Sequence, residues 1–587
     1  MINNLQSNKF KDKEPAETIM NIRNILNKLD IIPIEKKWHT YNNYHSVNLD
    51  LPEIGINVNG KGSSYYYALA SAYGELMERL QNFTFFKFNN PIDRKTMTKH
   101  SFFYAPDEKK FTLEDYVNFD CQWLENQNNK DNSFISILKS IYSKDILTLS
   151  YVNLFTEKIS YIPEKLISLM YMSNGMCAGN TKEEALINGL SEIIERYVNI
   201  YTYENEICPP DIPYDFLNKY PKIKLMLEYV NNNTEYNLFL KDLSLGQNLP
   251  VVSAVLINKS NHSYFIKFGC HPIFEIAVEK ALTELFQGQS LNSIIGLSTF
   301  KCNIDKKQNK LINILINGIG EYPSSFFYNK PDYAFKPFPL KDANSNIRLS
   351  NYLINLIKFK NYNIYIRDVS FLGFPTYHLI VPGLSDIQSL KDNTTMNDSN
   401  NLLKIKKVFL KGYDYNKLVN IFLENHYSLL IKPNNIMGFI NDSLPWYFRY
   451  MGLYLTVHFL SEGNYSMSYE MLDTFLKLVD SSTYKMYDLT CCLLHYIGMK
   501  KEHTNTFTIK NTLLNFYNSK LVNRIFTEFE YKKVIIEKLN CFDCKNCKYN
   551  EICTYPKKRE LYLKLKDFYL DNLIDQSSLI YANKKLL

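Results

Sequence analysis

Two glutamates three residues apart occur twice in this chain, Glu75 with Glu78 in "YGELMERL" and Glu192 with Glu195 in "SEIIERYV"; Glu284 with Gln287 repeats the spacing in "LTELFQGQ". On a helix such positions share a face, so each pair projects two side-chain oxygens in one direction. Carboxylates so placed repel weakly on an exposed helix and more strongly where the dielectric falls, so gathering four of them requires cations. Mg2+ takes hard oxygen ligands from a few carboxylates together with substrate phosphates, and a box of glutamates without histidines favours a metal-nucleotide site. A di-iron carboxylate site uses Glu-x-x-His, which neither duplicated pair supplies. The competing reading is a solvated charged face on which Arg79 and Arg196 pair with the acids.

Each pair closes a longer repeat: a glycine-containing turn, a helix rich in small residues, then the acidic spacing. The copies are "NGKGSSYYYALASAYGELMERL", "SNGMCAGNTKEEALINGLSEIIERYV" and "FGCHPIFEIAVEKALTELFQGQ". Apolar neighbours such as Leu76, Met77, Ile193 and Ile194 fix such helices against a core. Ahead of the first copy, "GINVNGKG" fits the phosphate-cradling pattern G-x-x-x-x-G-K-[ST] at Gly55, Gly60 and Lys61, but Gly62 stands where the hydroxyl that holds Mg2+ belongs. The match fails where the metal chemistry sits, so any nucleotide chemistry here is expected from the carboxylates.

The elements around these repeats are mixed. "KDKEPAETIMNIRNILNKLDI" reads as an amphipathic lid or edge helix, with Pro15 in its first turn and a stripe of Ile19, Ile22, Ile25, Leu26 and Leu29. From about residue 40 to 395, strand-like runs ("LPVVSAVLIN", "YNIYIRDVS", "TYHLIVPG") alternate with helical ones, which predicts an α/β or α+β domain. "KDNTTMNDSNN" marks a boundary near residue 400, and beyond it "PWYFRYMGLYLTVHFL", "SYEMLDTFLKLVD" and "YKMYDLTCCLLHYIGM" are helical units. The expected division is residues 1–400, a helical domain over 401–535, and a cysteine cluster with a final helix over 536–587.

With 587 residues, 45% of them hydrophobic, the chain can bury a large core. A net charge of +7 with dispersed Lys and Arg does not indicate direct nucleic-acid binding. The polar start carries no signal-peptide apolar region and no apolar run reaches membrane-spanning length, so a cytoplasmic protein with reduced cysteines is expected. Four of the eleven cysteines cluster as C-x2-C-x2-C-x5-C at Cys541, Cys544, Cys547 and Cys553. This spacing suits tetrahedral zinc or an iron-sulfur cluster, the alternative being unligated thiols in a helix turn.

"KGSSYYYALASAYGELMERL", "SNGMCAGNTKEEALINGLSEIIER", "HPIFEIAVEKALTELFQG" and "IVPGLSDI" together resemble the YcaO family of ATP-utilising enzymes, over roughly residues 10 to 395. The resemblance implies a YcaO-type α/β (α+β) ATP-binding fold without a P-loop. It also implies Mg2+ held by Glu75, Glu78, Glu192 and Glu195, and ATP lined by Ser71, Asn180, Glu184, Glu284 and Gln287, with Lys11 and Thr18 closing over it. Cys177 and Lys280 stand where relatives often carry serine and arginine. Family members typically phosphorylate a peptide-bond oxygen, so that an azoline or thioamide forms in a ribosomally made peptide. The helical extension is similar to the branch regarded as accessory to methylthiolation of a ribosomal small-subunit protein, whose C-terminal domain resembles tetratricopeptide repeats. Implied partners are a peptide or protein substrate, a radical methylthiotransferase or precursor-peptide maturation enzymes, with a homodimer among the allowed assemblies. Two other readings stay open: a non-catalytic ATP-binding scaffold, and a Cys-His hydrolase built on Cys177 or Cys270 with His271. His271 is also the candidate general base.

Overall fold

A computed structural model describes residues 11–41, 44–86, 105–119, 138, 142, 145–287, 298–303, 311, 314–315, 320–340, 345–388, 429–431, 445–479, 484–531, 544–546 and 550–583. The expected boundary loop near residue 400 and the cysteines Cys541 and Cys547 lie outside these residues.

Among the described residues, three antiparallel sheets make up the α/β part. The first is a meander of β1 (Ile34–Tyr41), β2 (Tyr44–Leu51) and β3 (Ile56–Gly62). In the second, β4 (Lys109–Thr112), β5 (Asp145–Asn153), β12 (Tyr365–Asp368), β13 (Thr376–Ile380) and β7 (Met176–Ala178) follow in spatial order, with β6 (Ile159–Pro163) paired to β5. The third runs β11 (Ser298–Thr299), β10 (Ser263–Cys270), β9 (Val251–Asn258), β8 (Tyr236–Asp242).

Helix α1 (Pro15–Asn27) begins with proline at its first position, where a missing N–H is harmless, and buries Ile19, Ile22 and Leu26. It packs on α2 (Tyr65–Gln81), which covers the first sheet. Helix α3 (Lys182–Glu204) lies between the second and third sheets, touching β7, β13 and β10. Helix α4 (Pro221–Asn233) packs on β8, α5 (Phe274–Leu285) on β10 and β9, and α6 (Asn346–Phe359) against α3.

The stretch "GINVNGKG" is strand, not a loop opening a helix. Gly55 sits at φ 64°, closing the tight turn from β2, and Ser46 pairs with Lys61 across the ladder. Along β3 the buried Ile56, Val58 and Gly60 alternate with the more exposed Asn57, Asn59 and Lys61, the period-2 pattern of a half-buried strand.

The C-terminal region is largely helical: α7 (Met451–Ser461), α8 (Tyr465–Leu478), α9 (Tyr487–Lys501), α10 (Thr506–Phe516), α11 (Ser519–Ile525) and α12 (Tyr555–Asp571). Neighbours in sequence pack on one another from α7 to α11. Their apolar faces join the core of α1, α2 and the first sheet in one continuous buried cluster. Helix α12 is the clasp. Tyr562 and Tyr569 pack with Phe83, centroids 5.8 and 6.0 Å away, and Tyr569 OH takes a hydrogen bond from the buried Arg367 at 3.2 Å. Beyond it Gln576 hydrogen bonds both the N–H and the carbonyl of Asp368. No helix among the described residues is long and apolar enough to cross a membrane.

Candidate nucleotide site

Each repeat read in the sequence is a strand, a glycine and a helix, one per sheet. The glycines let helix and strand approach so closely that a Cβ has no room. On Gly60 it would stand 2.0 Å from the carbonyl of Ala68, on Gly269 2.1 Å from that of Ala277, and on Gly179 2.6 Å from the amide of Ala185. The helix starts are fixed by side chains: Ser64 accepts from the Tyr67 amide at 3.3 Å and Thr181 from Glu184 at 3.2 Å. In the third unit His271 Nδ1 accepts from the Ile273 amide at 3.0 Å.

These units direct Glu75 and Glu78 from α2, Glu192 and Glu195 from α3 and Glu284 from α5 into one region, where the charges act on each other. Burial pushes Glu78 up to about 8; Arg79 opposes the shift, and Glu192 and Glu75 add to it. Glu75 is raised by burial against the pull of Arg79 and Lys61, and Glu195 by burial against Lys280 and Arg196. Arg196 Nε donates to Glu192 Oε1 at 2.9 Å, and Arg79 lies 3.7 Å from Glu75 and 3.5 Å from Glu78. Glu195 Oε2 accepts from the Cys270 amide at 3.0 Å. The arginines therefore pair with the acids, as the charged-face reading holds, but on a partly buried and mutually repelling cluster instead of a fully solvated face. Among the described residues, no three His, Cys, Asp or Glu side chains are drawn together as a ready metal cage.

Lys61 was missed by the sequence reading, which set it aside with the failed phosphate-loop pattern. It forms an ion pair with Glu284 and feels Glu195, Glu75 and Glu192. Burial pulls Lys61 down to about 8 in spite of those carboxylates. Lys267, on β10, is also lowered to about 8 by burial, with Lys61 adding to the shift. The strand alternation of "INVNGKG" was the signal for Lys61, since it puts that side chain on the polar face.

A second cluster gathers at the N-terminal end of α3. Lys11 Nζ donates to Glu184 Oε1 at 2.8 Å and Asn180 Nδ2 to Glu184 Oε2 at 3.1 Å. Thr18 Oγ1 donates to Asn180 Oδ1 at 2.9 Å. Glu184 and Glu195 are separated by about 16 Å of helix at 1.5 Å per residue, a span similar to an extended nucleoside triphosphate. Ser71 is exposed on α2, one turn before Glu75, and Gln287, just past α5, donates its amide to the Glu284 carbonyl at 3.4 Å. The donor set of glutamates, asparagine and lysines fits Mg2+ carried by a polyphosphate: hard oxygens for the metal, ammonium groups for the phosphates.

The thiols fit no nucleophile. Burial raises Cys177 well above the ordinary thiol range, and Cys270 likewise, so both stay protonated. Cys177 Sγ points to the Tyr377 carbonyl at 3.7 Å and packs under Gly189. His271 is driven well below its usual value by burial, with Lys280 and Lys11 adding to the shift. Its Nδ1 lone pair is already used by the Ile273 amide, so the neutral ring carries its proton on Nε2 and is a donor, not a base.

Residues 59–385 match the family model described as YcaO cyclodehydratase, ATP- and Mg2+-binding. An uncharacterised protein of Haemophilus influenzae is 31% identical over 371 residues, 61% of this chain and 61% of its own length. The ribosomal protein S12 methylthiotransferase accessory factor YcaO of Escherichia coli is 29% identical over 457 residues, covering 74% of this chain and 77% of that protein. The chain thus spans less than two thirds of the Haemophilus protein it matches. Among solved structures, a heterocyclase in complex with substrate and cofactor aligns with a TM-score of 0.46 at 17% identity, over 64% of this chain and 53% of that one. YcaO from Methanopyrus kandleri bound with AMPPCP and Mg2+ aligns with a TM-score of 0.40 at 16% identity, over 65% of this chain and 93% of that one.

Proposed function

The chain belongs to the YcaO family, and from that premise we propose that it binds Mg-ATP between α2, α3 and α5 and uses it to activate a backbone amide oxygen of a peptide or protein. The observation that carries this reading is the delivery of partly buried carboxylates by three helices, each packed on a different sheet, into one region where burial raises Glu75, Glu78 and Glu195. Glu75, Glu78, Glu192 and Glu195 would hold the metal, and Asn180, Glu184, Lys11, Thr18, Ser71, Glu284 and Gln287 the nucleotide. When bound, Mg-ATP supplies a γ-phosphoryl group that turns the amide oxygen into a leaving group, with the metal dispersing charge on the phosphates. Glu78, whose carboxyl burial pushes up to about 8, would serve as a metal ligand in its deprotonated form. The Cys270 amide keeps Glu195 aimed, and Arg79 and Arg196 keep the remaining acids from turning outward.

Calorimetry with Mg-ATP on wild type and on a Glu75→Gln, Glu192→Gln variant tests this, followed by phosphate release with candidate peptides. Binding that vanishes in the variant supports the site; absence of binding in folded wild type defeats it. The product, whether azoline, thioamide or an accessory contribution to methylthiolation of ribosomal protein S12, follows from the peptide that stimulates turnover. A scaffold that recruits a modifying enzyme through a tetratricopeptide-like C-terminal region is the second reading. It is favoured by the exposed Phe507 and Phe516 on α10.

We infer zinc or an iron-sulfur cluster at Cys541, Cys544, Cys547 and Cys553. Of these, Cys553 lies partly buried just ahead of α12, its Sγ accepting from the Tyr555 amide at 3.5 Å. Metal analysis and a visible spectrum of anaerobically purified protein decide it, and absence of both metals removes the site.

A further inference from the structure

Lys61 reaches into the carboxylate cluster from β3, ahead of any of the acidic helices in sequence, and pairs with Glu284 on α5. The neighbouring charges it feels are Glu195, Glu75 and Glu192, with Lys280 opposing. It therefore occupies, with its ammonium, the region where the acids would otherwise gather round a cation. We propose that Lys61 is the resident counter-cation of this site, blocking divalent metal ions that arrive alone and transferring to the phosphates when the metal arrives as a nucleotide complex. The inference rests on the reading of the site as a Mg-ATP site and adds an order of binding to it.

The physical argument is one of charge. A bare divalent ion entering the cluster meets the Lys61 ammonium already paired there with Glu284, and at short range in a partly buried site that repulsion is worth about a factor of ten or more in affinity. A polyphosphate brings its own oxygens, so the ammonium exchanges Glu284 for a phosphate and the acids become available to the metal. One lysine thus acts in opposite directions on two ligands: against free metal, for metal-nucleotide.

The test titrates Mn2+ alone, and separately Mg-ATP, into full-length wild type, Lys61→Met and Lys61→Arg, with Lys36→Met as control. Lys36 pairs with Asp50 on the first sheet. Lys61→Met is expected to bind Mn2+ about tenfold more tightly and Mg-ATP about tenfold more weakly than wild type, Lys61→Arg, which keeps the charge, to fall between the two on both ligands, and Lys36→Met to stay within twofold of wild type. Mn2+ affinity that is unchanged or lower in Lys61→Met overturns the proposal, and so does unchanged Mg-ATP affinity. Should Lys61→Met lose the wild-type unfolding transition, Lys61→Gln is read by the same criteria. Wild type that fails to bind Mg-ATP defeats the nucleotide site itself and this proposal with it. Wild type that binds, with Lys61→Met indistinguishable from it, defeats this proposal alone.

Discussion

Thr18 Oγ1 on α1 donates to Asn180 Oδ1 at the head of α3, 2.9 Å away and 162 residues further along the chain. Together with the Lys11–Glu184 pair, this contact ties the N-terminal helix over one end of the candidate site. Thr18→Val removes one hydrogen bond while keeping shape, a change of about 1 kcal/mol. The expected result is a three- to tenfold loss in Mg-ATP affinity by calorimetry, with Lys11→Met at least as large. Lys11 is partly exposed, so its variant should leave the unfolding temperature nearly unchanged.

Neutralising an acid of the cluster should separate stability from binding. Burial holds Glu78 at about 8, so forcing the charge on it at neutral pH opposes folding. Glu78→Gln has the same shape and no charge. The metal-free variant is expected to unfold about 1–3 kcal/mol later than wild type in denaturant, and Mg-ATP binding is expected to disappear. A variant less stable than wild type would contradict the charge argument.

Gly269, in β10, and Gly74, in α2, should respond oppositely to alanine. On Gly269 a Cβ would stand 2.1 Å from the Ala277 carbonyl, whereas on Gly74, within α2, it meets nothing within 4 Å. Gly269→Ala must push α5 off its strand and is expected to cost about 2–4 kcal/mol. Gly74→Ala gains helix propensity and is expected to stabilise the nucleotide-free protein by about 0.5–1 kcal/mol. Thermal unfolding of both variants checks the pair.

These sites show what could be read from the sequence. The stripe of Ile19, Ile22 and Leu26 is the buried face of α1, and "LPVVSAVLIN", "YNIYIRDVS" and "TYHLIVPG" contain β9, β12 and β13. Helices α8 and α9 fall where periodicity put them, while "PWYFRYMGLYLTVHFL" becomes regular helix only from Met451, after a 3-10 turn over Trp446–Phe448 that follows Pro445. The acidic pairs were legible because helix spacing is local. The partner of Lys61 was not, because Glu284 lies 223 residues away and no local period encodes a contact between sheets. The same holds for the buried Arg367, which reaches Asp107 at 2.6 Å and Tyr569 at 3.2 Å, and for a core that joins the C-terminal helices to the first sheet.

Asp242, at the end of β8 and away from the acidic cluster, sets a pH dependence of its own. Burial pushes its carboxyl up to about 6, although Ser244 donates to it through both amide and hydroxyl. The folded protein binds the proton more tightly than the unfolded chain, so this contribution to stability is full below about pH 4 and is lost as pH rises towards 6. The loss is expected to reach up to about 3 kcal/mol. In Asp242→Asn the difference in unfolding free energy between pH 4 and pH 6.5 should shrink by that amount; an unchanged slope would assign the effect elsewhere.

The scattering of the acidic helices over three sheets governs how the protein is made. A ribosome delivers β3 and α2 first, α3 more than a hundred residues later and α5 last. Until α5 emerges, Lys61 has no Glu284 to meet, and the nascent chain carries two acidic helices whose nearest opposite charges are Arg79 and Arg196 beside them. The candidate site is thus completed late in translation. A chain that stops before α5 would carry most of the acids yet remain an open electrostatic fragment, exposed to whatever cations and chaperones meet it first.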